Sequence, residues 1–277
     1  MNNIIKKLIL LILILIVLII GINIFTSISE KKYSEYEEGI INSSNAKTLQ
    51  IYNNKITNLS QRSGKDTTAM TKIKNISNFN VSQIEIFYDE LDKNDKAISD
   101  SKVDIDITLS PNEVMQVEFI PKDYTYSIEI TGYTYITEDC NVFVDLKNNN
   151  TKIFESEKYL ENSKNYDVIS INKGNKNKSK QEDLNFSIEI KNISDKNLGN
   201  IILKVAEIDK NKEIVRIDHI IYNSILKPEQ SDEIISSLYD TNYDIKILGY
   251  TYDDIENKSN VDIDLITNKV NIIDNGQ

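Results

Sequence analysis

Four tyrosines are the residues of this chain best placed to do something other than fill a core. They lie in two matching segments, Gly132-Tyr133-Thr134-Tyr135 and Gly249-Tyr250-Thr251-Tyr252. Ile130, Ile128, Tyr126 and Tyr124 share the parity of Gly132, so strict strand alternation turns Tyr133 and Tyr135 outward with Glu129 and Thr131. Tyr250 and Tyr252 take the same placement. Pairs of outward rings would make a stacking platform for a sugar or a peptide, because each offers a flat apolar face and a hydroxyl at low entropic cost. The competing expectation is that Gly132 and Gly249 mark bulges that reverse the alternation and send the rings into the core. Glycine inside a strand is the usual sign of a bulge, which favours the core.

Other chemistry is thinly supplied. Asp89, Asp92, Asn94 and Asp95 suggest calcium, but Lys93 and Lys96 interleave, no glycine stands at the sharp-turn position, and Val103 occupies the place of a bidentate glutamate. A solvated hairpin turn is the better expectation, and the same holds for Asp253, Asp254 and Glu256. One histidine, His219, gives no His-pair metal site and little material for a triad. One cysteine, Cys140, allows no intramolecular disulfide and has no thiol counterpart elsewhere. The formal charge of −11 argues against nucleic acid as a partner, since such binders need surplus Lys and Arg. No nucleophile and base pair, metal cluster or phosphate loop is present, so a non-enzymatic protein without a cofactor is expected.

The first element needed to place these residues is an anchor. From Leu8 to Phe25 the only polar side chain is Asn23. At about 1.5 Å per residue such a helix spans roughly 27 Å, just enough to cross a bilayer. Lys6 and Lys7 precede it, so the positive-inside rule places the N-terminus in the cytoplasm and the rest outside. A cleaved secretory signal is the alternative. Its apolar part is typically shorter, and only Ser27 and Ser29 offer a small-x-small site here, which favours a retained anchor.

The second element is a duplication. Ile73-Lys74-Asn75-Ile76-Ser77 recurs as Ile190-Lys191-Asn192-Ile193-Ser194, an offset of 117. The same offset carries Asp92-Lys93-Asn94 onto Asp209-Lys210-Asn211, Leu109 and Pro111 onto Leu226 and Pro228, and one Gly-Tyr-Thr-Tyr onto the other. A two-residue insertion then shifts it to 119, placing Asn141 and Asp145 on Asn260 and Asp264. Each copy is near 100 residues, the size of an independent domain, and a period this long excludes a solenoid. Within each copy the apolar residues alternate. Ile84 and Ile86, Ile105 and Ile107, Val117 and Phe119, and Ile128 and Ile130 read as half-buried strands, as do Ile188 and Ile190, Ile201, Leu203 and Val205, and Val261 and Ile263. Turn signals separate them at the spacing of an all-β sandwich of about seven strands. Lys55 to Lys65 and Lys173 to Lys180 are expected as long polar loops, and Glu155 to Asn165 as a short linker helix.

A strand ending in Lys-Asn-x-Ser, a strand reading Ile84-Glu85-Ile86-Phe87-Tyr88-Asp89, a polar turn, and Leu-x-Pro before a further strand resembles the FxLYD group of immunoglobulin-like bacterial surface domains. The second copy keeps the frame with Lys204-Val205-Ala206 in place of Phe-Tyr-Asp. The resemblance covers both copies. It implies an extracytoplasmic sandwich and carries no catalytic residues.

The expected architecture is all-β: two tandem immunoglobulin-like antiparallel β-sandwiches behind one transmembrane helix. A cytoplasmic stub and helix occupy 1–28, a juxtamembrane linker 29–46, the first sandwich 47–146, a second linker 147–163 and the second sandwich 164–277. The expected role is a single-pass cell-membrane protein that binds or adheres through its extracytoplasmic part, with Tyr133, Tyr135, Tyr250 and Tyr252 as candidate binding residues. Its partners would be membrane lipid at the helix and an envelope protein or cell-wall polymer outside. The alternative is a structural spacer or an assembly subunit of an envelope complex, which would keep those tyrosines covered.

Overall fold

The computed structural model describes residues 41, 45–57, 59–61, 67–137, 140–155, 161–162, 165–178, 184–237, 240 and 242–274. The expected anchor and most of the linker after it lie outside these residues. No helix among the described residues is long and apolar enough to cross a membrane.

The described chain is all-β, because β-branched residues crowd the alternating positions and leave no helical stripe. In the first copy the strands are β1 (Leu49–Ile51), β2 (Lys55–Ile56), β3 (Ser60–Gln61), β4 (Thr67–Asn75), β5 (Ser82–Leu91), β6 (Ala97–Ile105), β7 (Val114–Phe119), β8 (Ser127–Ile136), β9 (Cys140–Asp145) and β10 (Asn150–Glu155). After the short β11 (Glu161–Asn162), the second copy contains β12 (Ile169–Lys178), β13 (Leu184–Asn192), β14 (Leu198–Ile208), β15 (Ile214–Tyr222), β16 (Ser231–Ser237), β17 (Asp244–Asp254), β18 (Ser259–Asp264) and β19 (Lys269–Asp274).

The strand order repeats with the sequence. The first copy pairs β1-β4-β7 and, separately, β10-β9-β8-β5-β6; the second pairs β12-β13-β16 and β19-β18-β17-β14-β15. Backbone strain repeats too. Left-handed φ angles, rare away from glycine, occur at Gln83, Asp95 and Asn112 and again 117 residues on at Asn200, Lys212 and Glu229, while Asn149 reappears as Asn268. The apolar side chains expected to face inward gather in two clusters, one for each copy.

Two expectations about connections are corrected. Asn150–Glu155, placed in the second linker, is β10, a further strand along β9, and Ile153 on it packs against the core. Glu155 closes that strand, Glu161–Asn162 pairs with β19 and Asn165 stands in a 3₁₀ turn; the rest of Glu155 to Asn165, where a linker helix was expected, lies outside the described residues. Lys55–Ile56 and Ser60–Gln61 pair with β8 and β4, and Lys173 to Lys178 continue β12 along β13, where loops were expected. Main-chain pairing is indifferent to side-chain polarity when a neighbouring strand offers its free groups.

The two copies touch edge to edge. Met115 of β7 forms a parallel bridge with Ile214 of β15, which joins the three-stranded sheet of the first copy to the five-stranded sheet of the second. Ala206, Ile214 and Leu248 of the second copy are buried in the first copy's core cluster.

Candidate functional site

The tyrosine segments are inside. Tyr133, Tyr135 and Tyr250 are 0 % exposed and Tyr252 is 3 % exposed, so none of the four rings is displayed as a platform. The cause is the bulge. Phe87 pairs with Gly132 and Tyr88 with Ile130, which leaves Thr131 as the extra residue; in the second copy Lys204 pairs with Gly249 and Val205 with Ile247, which leaves Leu248. The buried set therefore switches from Ile128 and Ile130 to Tyr133 and Tyr135 across each glycine. Glycine is required there, since a Cβ on Gly132 would lie 2.6 Å from the Val144 carbonyl oxygen and one on Gly249 would lie 2.3 Å from that of Ile263.

The hydroxyls fasten the first strand of each copy across the sandwich. Tyr135 donates to the Ala46 carbonyl at 2.8 Å and Tyr133 accepts the Leu49 amide at 3.2 Å. Tyr252 donates to the Tyr166 carbonyl at 3.2 Å, while Tyr250 donates to Asp167 Oδ1 at 2.8 Å and accepts the Val168 amide at 3.1 Å. Burial pushes all four phenols above their ordinary range.

The Lys-Asn-x-Ser motif has a comparable structural use. Asn75 is fully buried and satisfies its whole carboxamide: Nδ2 donates to the Phe79 and Leu109 carbonyls at 2.8 and 2.9 Å, and Oδ1 accepts the Ser77 amide and hydroxyl at 3.0 and 2.6 Å. Asn192 does the same with Lys196, Leu226 and Ser194. The acidic turn binds its own backbone. Asp92 Oδ1 accepts the amides of Asn94 and Lys96, and Asp209 those of Asn211 and Glu213, which holds both carboxyls below their usual range. No acidic, histidine or cysteine cluster among the described residues could hold a metal. His219 is an exposed strand residue opposite Lys204, and Cys140 is buried beside Thr137.

The site candidates expected from the sequence do not include the joint between the copies. A cavity of about 370 Å³ lies there, walled by Phe79, Ile107 and Ile136 on one side and Leu248, Ile263 and Val270 on the other. Lys204 is its buried cation, with its ammonium 2.9 Å from Asp106 of the first copy and 3.2 Å from Asp262 of the second. Burial opposes its charge, but the two carboxylates outweigh burial and hold the ammonium above its ordinary value. Asp262 is raised by burial and by the like charges of Asp106 and Asp264, against the pull of Lys204. Thr108 donates to Asp264 across the same joint, and Lys72 to Glu213 and Lys246 to Glu113 close it at 2.5 and 2.7 Å.

A signal for this joint does exist in the sequence: the positions where the copies differ in polarity or in apolar bulk. Ala206, Ile214 and Leu248, which dock, stand where the first copy has Asp89, Ala97 and Thr131; Met115 and Ile107, which receive them, correspond to Asp232 and Ser224.

No family model matches the chain, and no curated protein matches it. Among solved structures, the chain aligns to red sea bream transglutaminase at 9 % identity and a TM-score of 0.23, over 82 % of this chain and 31 % of that one. It aligns to Amycolatopsis orientalis exo-chitosanase CsxA at 11 % and 0.20, over 82 % and 26 %. The class 5 fimbriae chaperone CfaA gives 12 % and 0.19, over 72 % and 98 %. The chain thus spans under a third of the length of the first two.

Proposed function

We propose that this chain is a non-enzymatic, single-pass membrane protein whose extracytoplasmic part is a rigid arm of two immunoglobulin-like sandwiches, serving as a spacer or assembly subunit of the cell envelope. The joint between the copies carries this reading. A strand bridge, three inter-copy ion pairs and a shared apolar cluster resist bending about a linker. The repeated three-stranded and five-stranded order supports the immunoglobulin-like assignment. The covered tyrosines favour a spacer over a tyrosine-displaying binder. The apolar run from Leu8 to Phe25 supports the anchor.

Nitroxide labels at Lys93→Cys and Glu256→Cys test rigidity by pulsed dipolar spectroscopy. One narrow distance distribution is expected, broadened by Met115→Asp; a broad distribution in the unmodified joint would end the rigid-arm reading. For the anchor, the chain should stay with membranes in alkaline carbonate and its body should be cut by protease added outside intact cells. Release into the carbonate supernatant counts against a retained helix.

A further inference from the structure

The inter-copy cavity does not stop at the joint. A second hollow of about 410 Å³ lies over the outward face of the first copy's five-stranded sheet and shares Gln83, Asp106 and Ile136 with the first. The two make one elongated trough running along that face and into the joint.

Its floor on the outer face is aromatic. Phe143 and Phe154 line it, Phe154 is 41 % exposed, and Phe87 packs edge-on to Phe143 with ring centroids 6.0 Å apart. The fold does not ask for these rings, because the second copy has Lys204, Asp262 and Ile273 at the matching positions. Directly across from Phe154 stands Asn141, whose Oδ1 is buried without a hydrogen-bond partner among the described residues. Leaving an acceptor unpaired is unfavourable, and Asn141 borders the hollow, so a small turn of its carboxamide would offer it to an incoming donor. Glu85, on the opposite flank, accepts from Thr134 and Lys102 and borders the same hollow.

We propose that this trough binds a linear glycan that carries no anionic groups. The partly exposed ring faces suit the C–H faces of pyranose rings, and the amide and carboxylate acceptors suit their hydroxyls. Polyanions are disfavoured. Among the described residues Glu85, Asp104, Asp106, Asp262 and Asp264 border the two hollows with Lys204 and Lys269, and Lys102 and Lys204 each already bridge two of those acids. The floor of the trough is β5, β8 and β9, which are paired on both sides, and the edge strands β6 and β10 border it at Asp104, Ile105 and Phe154, so a peptide adding as a strand finds no free main chain on that floor.

The test is calorimetric titration of the full-length, detergent-solubilised chain with three probes: an N-acetylglucosamine hexasaccharide, a glucosamine hexasaccharide and polygalacturonate. At least one hexasaccharide is expected to bind and polygalacturonate is not. The Phe143→Ala/Phe154→Ala pair is expected to weaken binding about tenfold or more, equivalent to about 1.4 kcal/mol. Phe154→Ala alone should weaken it with the strand content by circular dichroism unchanged, since that ring is 41 % exposed, and Asn141→Ala should weaken it several-fold. Failure of both hexasaccharides to bind, equal or tighter binding of polygalacturonate, or affinity unaltered in the double phenylalanine variant would overturn the proposal.

Discussion

Replacing Asn75 with alanine removes a small side chain from a wholly buried position, and its cost follows from the four hydrogen bonds it ends. The Leu109 carbonyl keeps its bond from the Val81 amide, and the single proton of the Ser77 hydroxyl, freed from Asn75, can turn to the Phe79 carbonyl, so neither is orphaned. The Ser77 amide, in contrast, loses its acceptor beside a half-buried turn. At a net of about 1 kcal/mol for each bond, with one group left partly unpaired, the loss comes to about 3–4 kcal/mol. That is a large share of the roughly 5–15 kcal/mol that holds a domain folded, and it should lower the melting midpoint by roughly 10 °C or more. Calorimetric melting of the variant beside Lys93→Ala, an exposed control on the hairpin turn, gives the measurement. Asn192→Ala should behave alike, because its bonds are the same in kind and length. A double-mutant cycle with Ser77→Ala should show coupling, since Ser77 supplies two of the four bonds. Near-identical midpoints for Asn75→Ala and the surface control would refute the idea that Lys-Asn-x-Ser is kept for this carboxamide.

Gly132→Ala and Gly249→Ala place a methyl group within 2.6 and 2.3 Å of a carbonyl oxygen, so each should destabilise by about 1–3 kcal/mol in urea unfolding. Tyr250→Phe takes the partner from Asp167 and from the Val168 amide and should cost about 1–2 kcal/mol, read in the same assay; Tyr252→Phe, with one bond to lose, should cost less. On pH the signs run both ways. The buried tyrosines have raised values, so their contribution is complete below about pH 10, where unfolded phenols begin to ionise, and declines above it; Glu90, Asp92, Asp209 and Asp254 are held low, so theirs is present above about pH 4 and is lost as acid protonates them. A melting-midpoint profile that rises through pH 10 would contradict the first half. Lys204→Met leaves Asp106, Asp262 and Asp264 together at the joint and should cost about 2 kcal/mol, below the roughly 3–5 kcal/mol of a fully buried pair because Asp106 is largely exposed, with Asp262→Leu in the same chain restoring most of it.

Much of the fold was legible because it is local or periodic. Alternation of Ile84 and Ile86 with charged neighbours fixes which face of β5 is inward, and the self-match at 117 residues marks two copies before any strand is placed. The reversal at Gly132 was readable as well, since a glycine within a strand points to a bulge whatever surrounds it. Polar strands were not legible: Lys173 to Lys178 carries no apolar pattern, and only the free main-chain groups of β13 make it a strand.

The chain's own residues, then, determined the β character, the duplication, the self-bonded acidic turns and the poverty of catalytic groups, because each depends on spacing along one segment. Tertiary structure alone decided what the copies do to each other. Whether Lys204 is a solvated lysine or a buried cation depends on Asp106, which lies 98 residues earlier and meets it only because β7 and β15 share an edge. The same is true of the phenylalanine trough. Three rings on β5, β9 and β10 become one surface through the register of a sheet, a relation between distant segments that no local pattern encodes.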